Sequence, residues 1–428
     1  MANYHVQPSK LQGDIVIPPS KSHTLRAILF ATMAQGVSTI RNYLSSLDTV
    51  AMIDACRLLG AEIKISDTQL TITGCAGKPQ TPADVIDAGN SGQVLRFVAA
   101  IAALTEGYTV ITGDESIRNN RPIQPLLDGL TQAAVLAVSS QSNGYAPVII
   151  KGPLRGGATI TINGEDSQPV SGILMAAAFA SQPIVIQVTE PGEKPWIDLT
   201  LAWFDRLDIA YQRQGYSEYT VMGNTEYAGF DYTVPGDFSS CAFPVVAALI
   251  TASAVKLHHL DPKDAQGDKA LLSVLQTLGA DLQFDDQQIL SIRSSGNIRG
   301  RRIEVNDFID AVPILAVLAC FIDGETVITG AAIARHKESD RLAAISEELK
   351  KMGANIVEDP DGLRIKPAFL TGARVSSHHD HRIAMALAVA GMAAEGETII
   401  EEIACVDKSY PGFAEALWHL GAKIEVAA

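Results

Sequence analysis

The sequence of 428 residues predicts an α/β protein built from six copies of one repeat, with its helices buried side by side. Two motifs that recur in step along the chain predict this fold class. The composition agrees with it, because 47% of the residues are hydrophobic and 19% are charged. Such a composition is typical of a globular protein with a large core, and it excludes a disordered chain.

The first motif is a helical stretch that ends in Leu-Gly-Ala or a close variant and is followed by an alternating strand. Successive copies lie roughly 70 residues apart, and weaker copies occur near residues 131 and 207. A period of this length is too long for the common solenoids. The clear copies are Leu59-Gly60-Ala61, Leu278-Gly279-Ala280, Met352-Gly353-Ala354 and Leu420-Gly421-Ala422.

The second motif is an alanine-rich helix, then a glycine, then a β-branched strand. It occurs at residues 31–40, 98–111, 315–328 and 384–400. A glycine directly after a helix provides the left-handed cap, and the Thr/Val/Ile run that follows favours a strand. Each copy therefore predicts two helices and three or four strands. The helices are apolar around most of their circumference, which predicts burial in a closed or pseudo-threefold arrangement.

Composition also excludes several classes of protein. The net charge of −15 argues against a general nucleic-acid binder. Five scattered cysteines without a CxxC pair exclude a disulfide scaffold or a zinc ribbon and indicate a reducing compartment. The longest apolar stretches are too short to span a bilayer, and no signal peptide is recognised. We therefore expect a cytoplasmic enzyme that binds neither membranes nor nucleic acid.

Polar residues gather where the apolar helices begin. N-capping explains the Ser, Asp and Asn residues there, but it does not explain the added Lys21, Arg26, Arg96 and Arg382. Helix N-termini bind anions, so this pattern predicts a site for strongly anionic small molecules. The alternative is that each arginine pairs with a nearby carboxylate. The six helix starts are 20–26, 90–96, 166–168, 236–240, 307–310 and 379–382.

Two further segments are unusually polar, and several common motifs are missing. Residues 335–341 place six ionisable side chains in seven positions, and residues 118–123 form a basic turn. The run at 378–381 contains three histidines, but adjacent residues cannot all reach one ion, so no metal site is expected. A Walker A loop, a GxGxxG loop and a GxSxG elbow are all lacking, which disfavours P-loop kinases, Rossmann dehydrogenases and α/β-hydrolases.

These motifs resemble, in order and spacing, the 5-enolpyruvylshikimate-3-phosphate synthase family of enolpyruvyl transferases. The resemblance implies two similar lobes, each of three βαβαββ repeats with buried parallel helices, an inside-out α/β barrel. One lobe would be 20–236, and the other 1–19 plus 237–428, with hinges near 19–20 and 236–237. The matching segments are Ser20-Lys21-Ser22 with Arg26, Gly89-Asn90-Ser91-Gly92 with Arg96, Arg121-Pro122-Ile123, Ser167-Gln168, Asp310, 337–341, 380–382 and Lys408.

The resemblance implies transfer of the enolpyruvyl group of phosphoenolpyruvate to the 5-hydroxyl of shikimate 3-phosphate, with release of phosphate. A proton must reach the methylene carbon of phosphoenolpyruvate, and a base must take the proton of the attacking hydroxyl. Cations must hold a phosphate and a carboxylate on each substrate. The family acts in the shikimate pathway to chorismate and the aromatic amino acids and is the target of glyphosate. No cofactor and a monomer are expected.

The family's residue roles carry over to matching positions. Asp310 resembles the base and Glu338 the proton donor, and Lys21 is a third catalytic candidate. The positions implied for phosphoenolpyruvate are Lys21, Gly92, Arg121, Gln168, Arg341, Arg382 and Lys408. Those implied for shikimate 3-phosphate are Ser22, Arg26, Ser167, Gln168, Asp310 and Lys337. Without the resemblance, Asp310 could simply cap the helix 312–321, and Glu338 could simply pair with Arg341.

Three positions depart from the family pattern on the shikimate side. Asp166 and Glu193 fall where many members carry serines near the shikimate phosphate, and Ile333 falls where an asparagine is common. A carboxylate beside a phosphate is repulsive. The contacts to shikimate 3-phosphate are therefore expected to differ most from the family pattern.

Two other functions remain as alternatives. The related UDP-N-acetylglucosamine enolpyruvyl transferase normally has Lys-Asn where this chain has Lys21-Ser22. It also has a reactive cysteine on a loop that corresponds to residues 118–122, and this chain has none there. A non-catalytic anion-binding protein would be favoured by loss of Asp310 or Glu338, and both are present.

Overall fold

A computed structural model describes residues 2–293 and 297–427. The chain divides into two compact units. We call Pro19–Val234 the continuous unit, and Met1–Pro18 with Pro235–Ala428 the split unit. The predicted hinges near 19–20 and 236–237 lie within two residues of these divisions. Met1, residues 294–296 and Ala428, which the predicted second lobe includes, lie outside the described residues.

The strands of the described chain are short, as expected for a protein that alternates strands with helices. They are β1 (Asn3–Gln7), β2 (Gln12–Val16), β3 (Val37–Arg41), β4 (Glu62–Ile65), β5 (Gln69–Thr73), β6 (Ile86–Asp87), β7 (Tyr108–Thr112), β8 (Leu136–Ser139), β9 (Val148–Lys151), β10 (Thr159–Asn163), β11 (Ile184–Thr189), β12 (Tyr211–Gln214), β13 (Glu218–Val221), β14 (Asp231–Thr233), β15 (Ala254–His258), β16 (Asp281–Phe284), β17 (Leu290–Arg293), β18 (Arg302–Glu304), β19 (Thr326–Thr329), β20 (Asn355–Asp359), β21 (Gly362–Lys366), β22 (Arg374–Ser376), β23 (Thr398–Glu401) and β24 (Lys423–Ala427).

The helices of the described chain fall between these strands. They are α1 (Lys21–Met33), α2 (Leu47–Leu58), α3 (Gly92–Ala102), α4 (Glu115–Asn119), α5 (Gln124–Gln132), α6 (Ser167–Ala177), α7 (Lys194–Arg206), α8 (Phe238–Ile250), α9 (Ala270–Leu278), α10 (Val312–Phe321), α11 (Arg341–Lys351), α12 (His381–Gly391) and α13 (Phe413–His419). Short 3-10 segments precede α9 and α10 and also lie at Ala332–His336 and Ile403–Lys408.

All six sheets have the same four-stranded topology. In the sheet β10-β11-β13-β12, the first pair is parallel and the next two pairs are antiparallel. The other five sheets repeat this pattern, with three sheets in each unit. In four of the sheets a helix follows each of the first two strands, which gives a βαβαββ repeat. In the sheets that begin with β2 and β14, the chain passes to the other unit after that strand, and the helix before the second strand (α8 and α1, respectively) takes the corresponding place. The predicted fold class of three such repeats per lobe is confirmed.

Three of the sheets are completed by strands from distant parts of the sequence. In the continuous unit, β14 pairs in parallel with β3. In the split unit, β2 pairs in parallel with β15, and β1 lies between β23 and β24. The chain therefore starts in the split unit, passes through the whole continuous unit and returns.

The helices form the interior and the sheets the exterior. Every residue of α3 and α12 is buried, as are all residues but one of α1 and α8. The strands instead alternate buried and exposed residues, so each sheet has one solvent-exposed face. Each unit has its own apolar core. The inside-out arrangement is thus confirmed, and among the described residues no sheet closes on itself.

The Leu-Gly-Ala motif ends a helix in the predicted way. Gly60 has a φ of 108° and Gly279 a φ of 112°, the left-handed region that glycine adopts at little cost. The alanine after each glycine donates its N–H to a carbonyl five residues earlier, Ala61 to Cys56 in the first case. This geometry satisfies the last helical carbonyls and turns the chain into the next strand.

Two composition-based expectations can be compared with the structure. All five cysteines are free. Within 2–293 and 297–427, no helix combines the length and the apolar character that crossing a bilayer requires.

Candidate active site

The residues singled out from the sequence form two groups, one in each unit. Nearly all of them lie at or just before the start of a helix, where backbone N–H groups lack helical partners. The continuous unit holds Lys21, Ser22, Arg26, Gly92, Arg121, Ser167 and Gln168. The split unit holds Asp310, Lys337, Glu338, Arg341, Arg382 and Lys408.

Lys21 and Ser22 open the first turn of α1. Ser20 caps this helix. The Nζ atom of Lys21 lies 3.4 Å from Oδ2 of Asp48, a buried residue at the start of α2. The hydroxyl of Ser22 accepts a hydrogen bond of 3.3 Å from Gln93 Nε2. Asp48 thus holds the Lys21 ammonium in position, a contact that no local pattern indicates because 27 residues separate the two.

Arg26 is a buried cation held by neutral groups. It donates to Thr200 Oγ1 at 3.1 Å and to the backbone oxygens of Ser22 and Trp196, each at 3.3 Å. Its Cζ atom lies 4.9 Å from the ring centroid of Phe97. No carboxylate in the described part of the chain forms a salt bridge with it. Burial lowers the pKa of its guanidinium to about 9, so it remains charged at neutral pH.

Gly92 lies where two arginines approach the start of α3. A Cβ at this position would lie 2.7 Å from Arg96 Nη1 and 3.5 Å from Arg121 Cζ. Any side chain would therefore have to displace a guanidinium. Ser91 caps α3 and donates its hydroxyl to Asp48 Oδ2 at 2.9 Å, so Asp48 connects the starts of α1 and α3.

Arg96 joins the starts of α3 and α6. It donates to Gln168 Oε1 at 2.8 Å and to the backbone oxygen of Pro122 at 2.7 Å, and it lies 3.1 Å from Asp166 Oδ2. Gln168, which the resemblance assigns to both substrates, is thus itself hydrogen-bonded to Arg96. Arg96 belongs to one of the motifs that match the family, but the resemblance assigns it no substrate contact.

Ser167, the first residue of α6, contacts a buried carboxylate. Its N–H and its hydroxyl both donate to Oε2 of Glu193, at 3.1 and 3.0 Å. Asp166 caps the same helix through the N–H of Gln168 at 3.0 Å. Two of the residues that depart from the family pattern thus bind the helix start that the family resemblance assigns to shikimate 3-phosphate.

In the split unit, Asp310 is bound by two arginines. Arg341 donates to its Oδ1 and Arg382 to its Oδ2, each at 2.6 Å. Burial alone would raise the pKa of Asp310, but Arg382, Arg341 and Lys337 together hold it well below its usual range. The carboxyl group does not cap α10, which has no side-chain cap. The capping role considered from the sequence is therefore wrong, because Asp310 lies in the preceding 3-10 segment.

Arg341 is surrounded by carboxylates. Besides Asp310, it donates to Glu338 Oε2 and to Asp380 Oδ2, each at 2.7 Å. Burial alone would lower the pKa of Arg341, but the three carboxylates raise it above its usual range. Lys408 donates to the other oxygen of Glu338, also at 2.7 Å. The Glu338–Arg341 pair considered from the sequence is present, and Lys408 is added to it.

The alternative that each arginine simply pairs with a carboxylate holds in part. Arg96, Arg341 and Arg382 have carboxylate partners, whereas Arg26 has none among the described residues. Ion pairs with the chain's own carboxylates therefore do not explain all of the cations at the helix starts.

Two groups of side chains could offer several metal ligands, although the sequence indicated none. Donor atoms of Glu338, Asp380 and His381 lie within 4.8 Å of one another, and so do those of Glu347, Glu348 and His378. Both groups already bind cations. Arg341 contacts both carboxylates of the first group, and Lys351 contacts both carboxylates of the second.

Comparison with known proteins covers almost the whole chain. The family model for EPSP synthase (3-phosphoshikimate 1-carboxyvinyltransferase) matches residues 6–417. The chain belongs to the EPSP synthase family. A 3-phosphoshikimate 1-carboxyvinyltransferase of Chlamydia felis is 43% identical over 99% of this chain and 95% of that protein. One of Methanocella arvoryzae is 43% identical over 98% of this chain and 99% of that protein.

A solved EPSP synthase has the same fold. The structure of the enzyme from Acinetobacter baumannii superimposes with a TM-score of 0.84 at 28% sequence identity and covers 100% of both chains. The family assignment made from the sequence motifs is thus confirmed over the full length.

Proposed function

We propose that this protein transfers the enolpyruvyl group of phosphoenolpyruvate to the 5-hydroxyl of shikimate 3-phosphate and releases phosphate. It would thus act as a 3-phosphoshikimate 1-carboxyvinyltransferase in the shikimate pathway to chorismate and the aromatic amino acids, the step that glyphosate targets. The family match and the names of the full-length relatives support this proposal.

The observation that carries the proposal is that no described residue supplies a counter-ion to Arg26. A buried cation without a counter-ion is costly unless a ligand compensates it. In a chain of net charge −15, a buried guanidinium whose acceptors among the described residues are all neutral supports a site for an anion. We assign the carboxylate of shikimate 3-phosphate to Arg26 and its phosphate to the helix start at Ser167, with Ser22 and Gln168 as further contacts.

Phosphoenolpyruvate would be bound through its phosphate by residues at the helix starts of the continuous unit. We assign Lys21 and Arg121 as cations, and the backbone of Gly92 as a donor that can approach because no side chain intervenes. Gln168 completes this set. Asp48 would position the Lys21 ammonium through the contact of 3.4 Å.

The carboxylate of phosphoenolpyruvate is assigned to Arg341 and Arg382, whose planar forks suit such an anion. In this structure both arginines bind Asp310. A substrate carboxylate that takes over these donors would leave Asp310 with fewer cationic partners and would raise its pKa. Asp310 then becomes a better base for the 5-hydroxyl proton. Substrate binding and activation of the base are thus coupled through the same two side chains.

Glu338 is the proposed donor of the proton that reaches the methylene carbon. Its two oxygens are bound by Arg341 and Lys408. Anionic substrates that draw these cations away would make protonation of Glu338 easier. We assign Lys408 to phosphoenolpyruvate and Lys337 to the phosphate of shikimate 3-phosphate. Lys337 is buried, and its charge already acts on Asp310.

The comparisons favour this reaction over the two alternatives. The relatives carry the name of the shikimate enzyme and not that of the UDP-N-acetylglucosamine transferase. Asp310 and Glu338 both lie among cations, as an acid–base pair for anionic substrates requires. A monomeric, cytoplasmic enzyme without a cofactor remains part of the proposal, and the five free cysteines agree with a reducing compartment.

The decisive experiment is incubation with phosphoenolpyruvate and shikimate 3-phosphate, followed by ³¹P NMR. We expect inorganic phosphate and a new enolpyruvyl ether to appear together. A parallel incubation replaces shikimate 3-phosphate with UDP-N-acetylglucosamine. Turnover in that incubation alone would establish the related transferase, and turnover in neither would leave a non-catalytic anion-binding protein.

The role of Glu338 can be tested in the same assay with a matched pair of variants. Glu338→Gln keeps the size of the side chain but removes the transferable proton, so turnover should fall about 10²–10⁴-fold. Glu347→Gln, an exposed change on α11, should leave turnover unchanged. Equal activity of the two variants would remove Glu338 from the mechanism.

A further inference from the structure

The start of α6 is occupied by a carboxylate from the chain itself. Oε2 of Glu193 accepts both the N–H and the hydroxyl of Ser167, at 3.1 and 3.0 Å. Each of the two residues is only 2% exposed. Hydrogen bonds to a charged acceptor in a buried place are strong, so this contact satisfies both donors of Ser167.

Glu193 precedes α7 but does not cap it. Its backbone is left-handed, with a φ of 43° and a ψ of 41°, and its side chain makes no capping hydrogen bond to its own helix. The carboxylate instead reaches α6, 26 residues earlier in the chain. It can therefore leave Ser167 without uncapping α7.

A phosphate group cannot share the donors of Ser167 with this carboxylate. Both anions need the same N–H and O–H, and two negative groups at hydrogen-bond distance repel strongly where water is excluded. Asp166 adds a second carboxylate at the same helix end, although Arg96 lies 3.1 Å from it and balances its charge. Binding of a phosphate at Ser167 therefore requires that Glu193 moves away.

We propose that Glu193 is a specificity-determining residue that competes with the phosphate of shikimate 3-phosphate for Ser167. The inference rests on the proposed function and adds to it a free-energy cost of binding that only the phosphorylated acceptor carries. Binding of unphosphorylated shikimate does not carry this free-energy cost, because shikimate has no phosphate group to place at Ser167. Glu193 thus lowers the preference for the phosphorylated form over the unphosphorylated one.

The test compares three variants by steady-state kinetics and by calorimetric titration with shikimate 3-phosphate and with shikimate. Glu193→Ser removes the competing carboxylate. We expect the KM and the Kd for shikimate 3-phosphate to fall about tenfold, because binding no longer has to break a charge-assisted hydrogen bond. Glu193→Gln keeps an oxygen that can accept from Ser167 but removes the charge, so its effect should be smaller and in the same direction. The Kd for shikimate and the KM for phosphoenolpyruvate should stay unchanged.

Glu190→Ser is the matched control, because Glu190 is an exposed residue of the same loop with a similar backbone conformation. It should leave all constants unchanged. An unchanged or increased KM for shikimate 3-phosphate in both Glu193 variants would overturn the inference and would show that Glu193 orients Ser167 for substrate. Lack of turnover by the unmodified protein would instead refute the proposed function, so the two failures are distinguishable.

Discussion

Arg26 in the continuous unit and Arg341 in the split unit are both buried near the start of a helix, but their surroundings are opposite. Arg26 donates to one hydroxyl and two backbone oxygens, whereas Arg341 binds three carboxylates. The pKa of Arg26 is accordingly lowered to about 9 and that of Arg341 is raised.

The difference shows two ways to prepare a cation for an anionic ligand. Arg26 has no counter-ion in the described part of the chain, so the proposed ligand carboxylate would be its first charged partner. Arg341 holds internal carboxylates that a substrate must partly replace, and those carboxylates include the proposed base and proton donor. The first arrangement favours binding, and the second couples binding to chemistry.

The comparison predicts the largest loss of stability for Arg341. Arg341→Met leaves Asp310, Glu338 and Asp380 without their shared partner, so the free energy of unfolding should fall by about 3–5 kcal/mol. Urea unfolding measures this. The control is Arg364→Met, which breaks an exposed, solvent-screened pair with Asp359 and should leave the free energy of unfolding almost unchanged. Equal losses in the two variants would mean that Arg341 is not held by its carboxylates.

The next largest effect concerns turnover. Asp310→Ala removes the proposed base but frees Arg341 and Arg382, so kcat should fall at least about 100-fold while the KM for phosphoenolpyruvate does not rise. Steady-state kinetics with both substrates tests this, with Asp307→Ala as the control from the same 3-10 segment. A near-normal kcat would remove Asp310 from the mechanism.

A smaller effect is expected for Arg26, and it should separate binding from stability. Arg26→Met removes a cation to which no described residue supplies a counter-ion, so the KM for shikimate 3-phosphate should rise about 10–100-fold. The free energy of unfolding should stay the same or increase, because a buried charge is replaced by an apolar side chain. A large loss of stability in urea would contradict the assignment of Arg26 as an unpaired cation.

The smallest effect is a pH dependence of stability. The pKa of Asp310 is lower in the folded than in the unfolded chain, so its contribution is fully present above the unfolded pKa of about 4 and is lost as the pH falls further. Urea unfolding between about pH 5 and 2 should show this loss in the unmodified protein. In Asp310→Asn the corresponding part of the pH dependence should disappear, and identical slopes would contradict the ionised pairing.

The repeats were predictable because their signals are local. The Leu-Gly-Ala ends and the alanine-rich helices each lie within about 10–15 residues, a range over which helix periodicity and capping act. The strands β1, β2 and β14 complete sheets with partners far along the chain, and such pairing depends on tertiary packing that a local pattern does not contain.

The candidate site was predictable to the level of residue types at helix starts. Lys21, Arg26, Asp310 and the segment 337–341 are predictable because their motifs resemble those of the family, and their roles remain predictions. Their partners were not recognisable, because a contact such as that of Asp380 with Arg341 depends on how two helices pack. Glu193 stood out as an unusual carboxylate, but only the fold shows that it binds Ser167.

The three sheets that contain β1, β2 and β14 also set the order in which the protein can fold during synthesis. The ribosome releases all of Pro19–Val234 before most of the split unit exists, so the continuous unit can fold early with its own core. β1 must wait for β23 and β24, about 400 residues later, and until then its backbone groups lack their partners. β1 is therefore made before the whole continuous unit but completes its sheet only after that unit has been made.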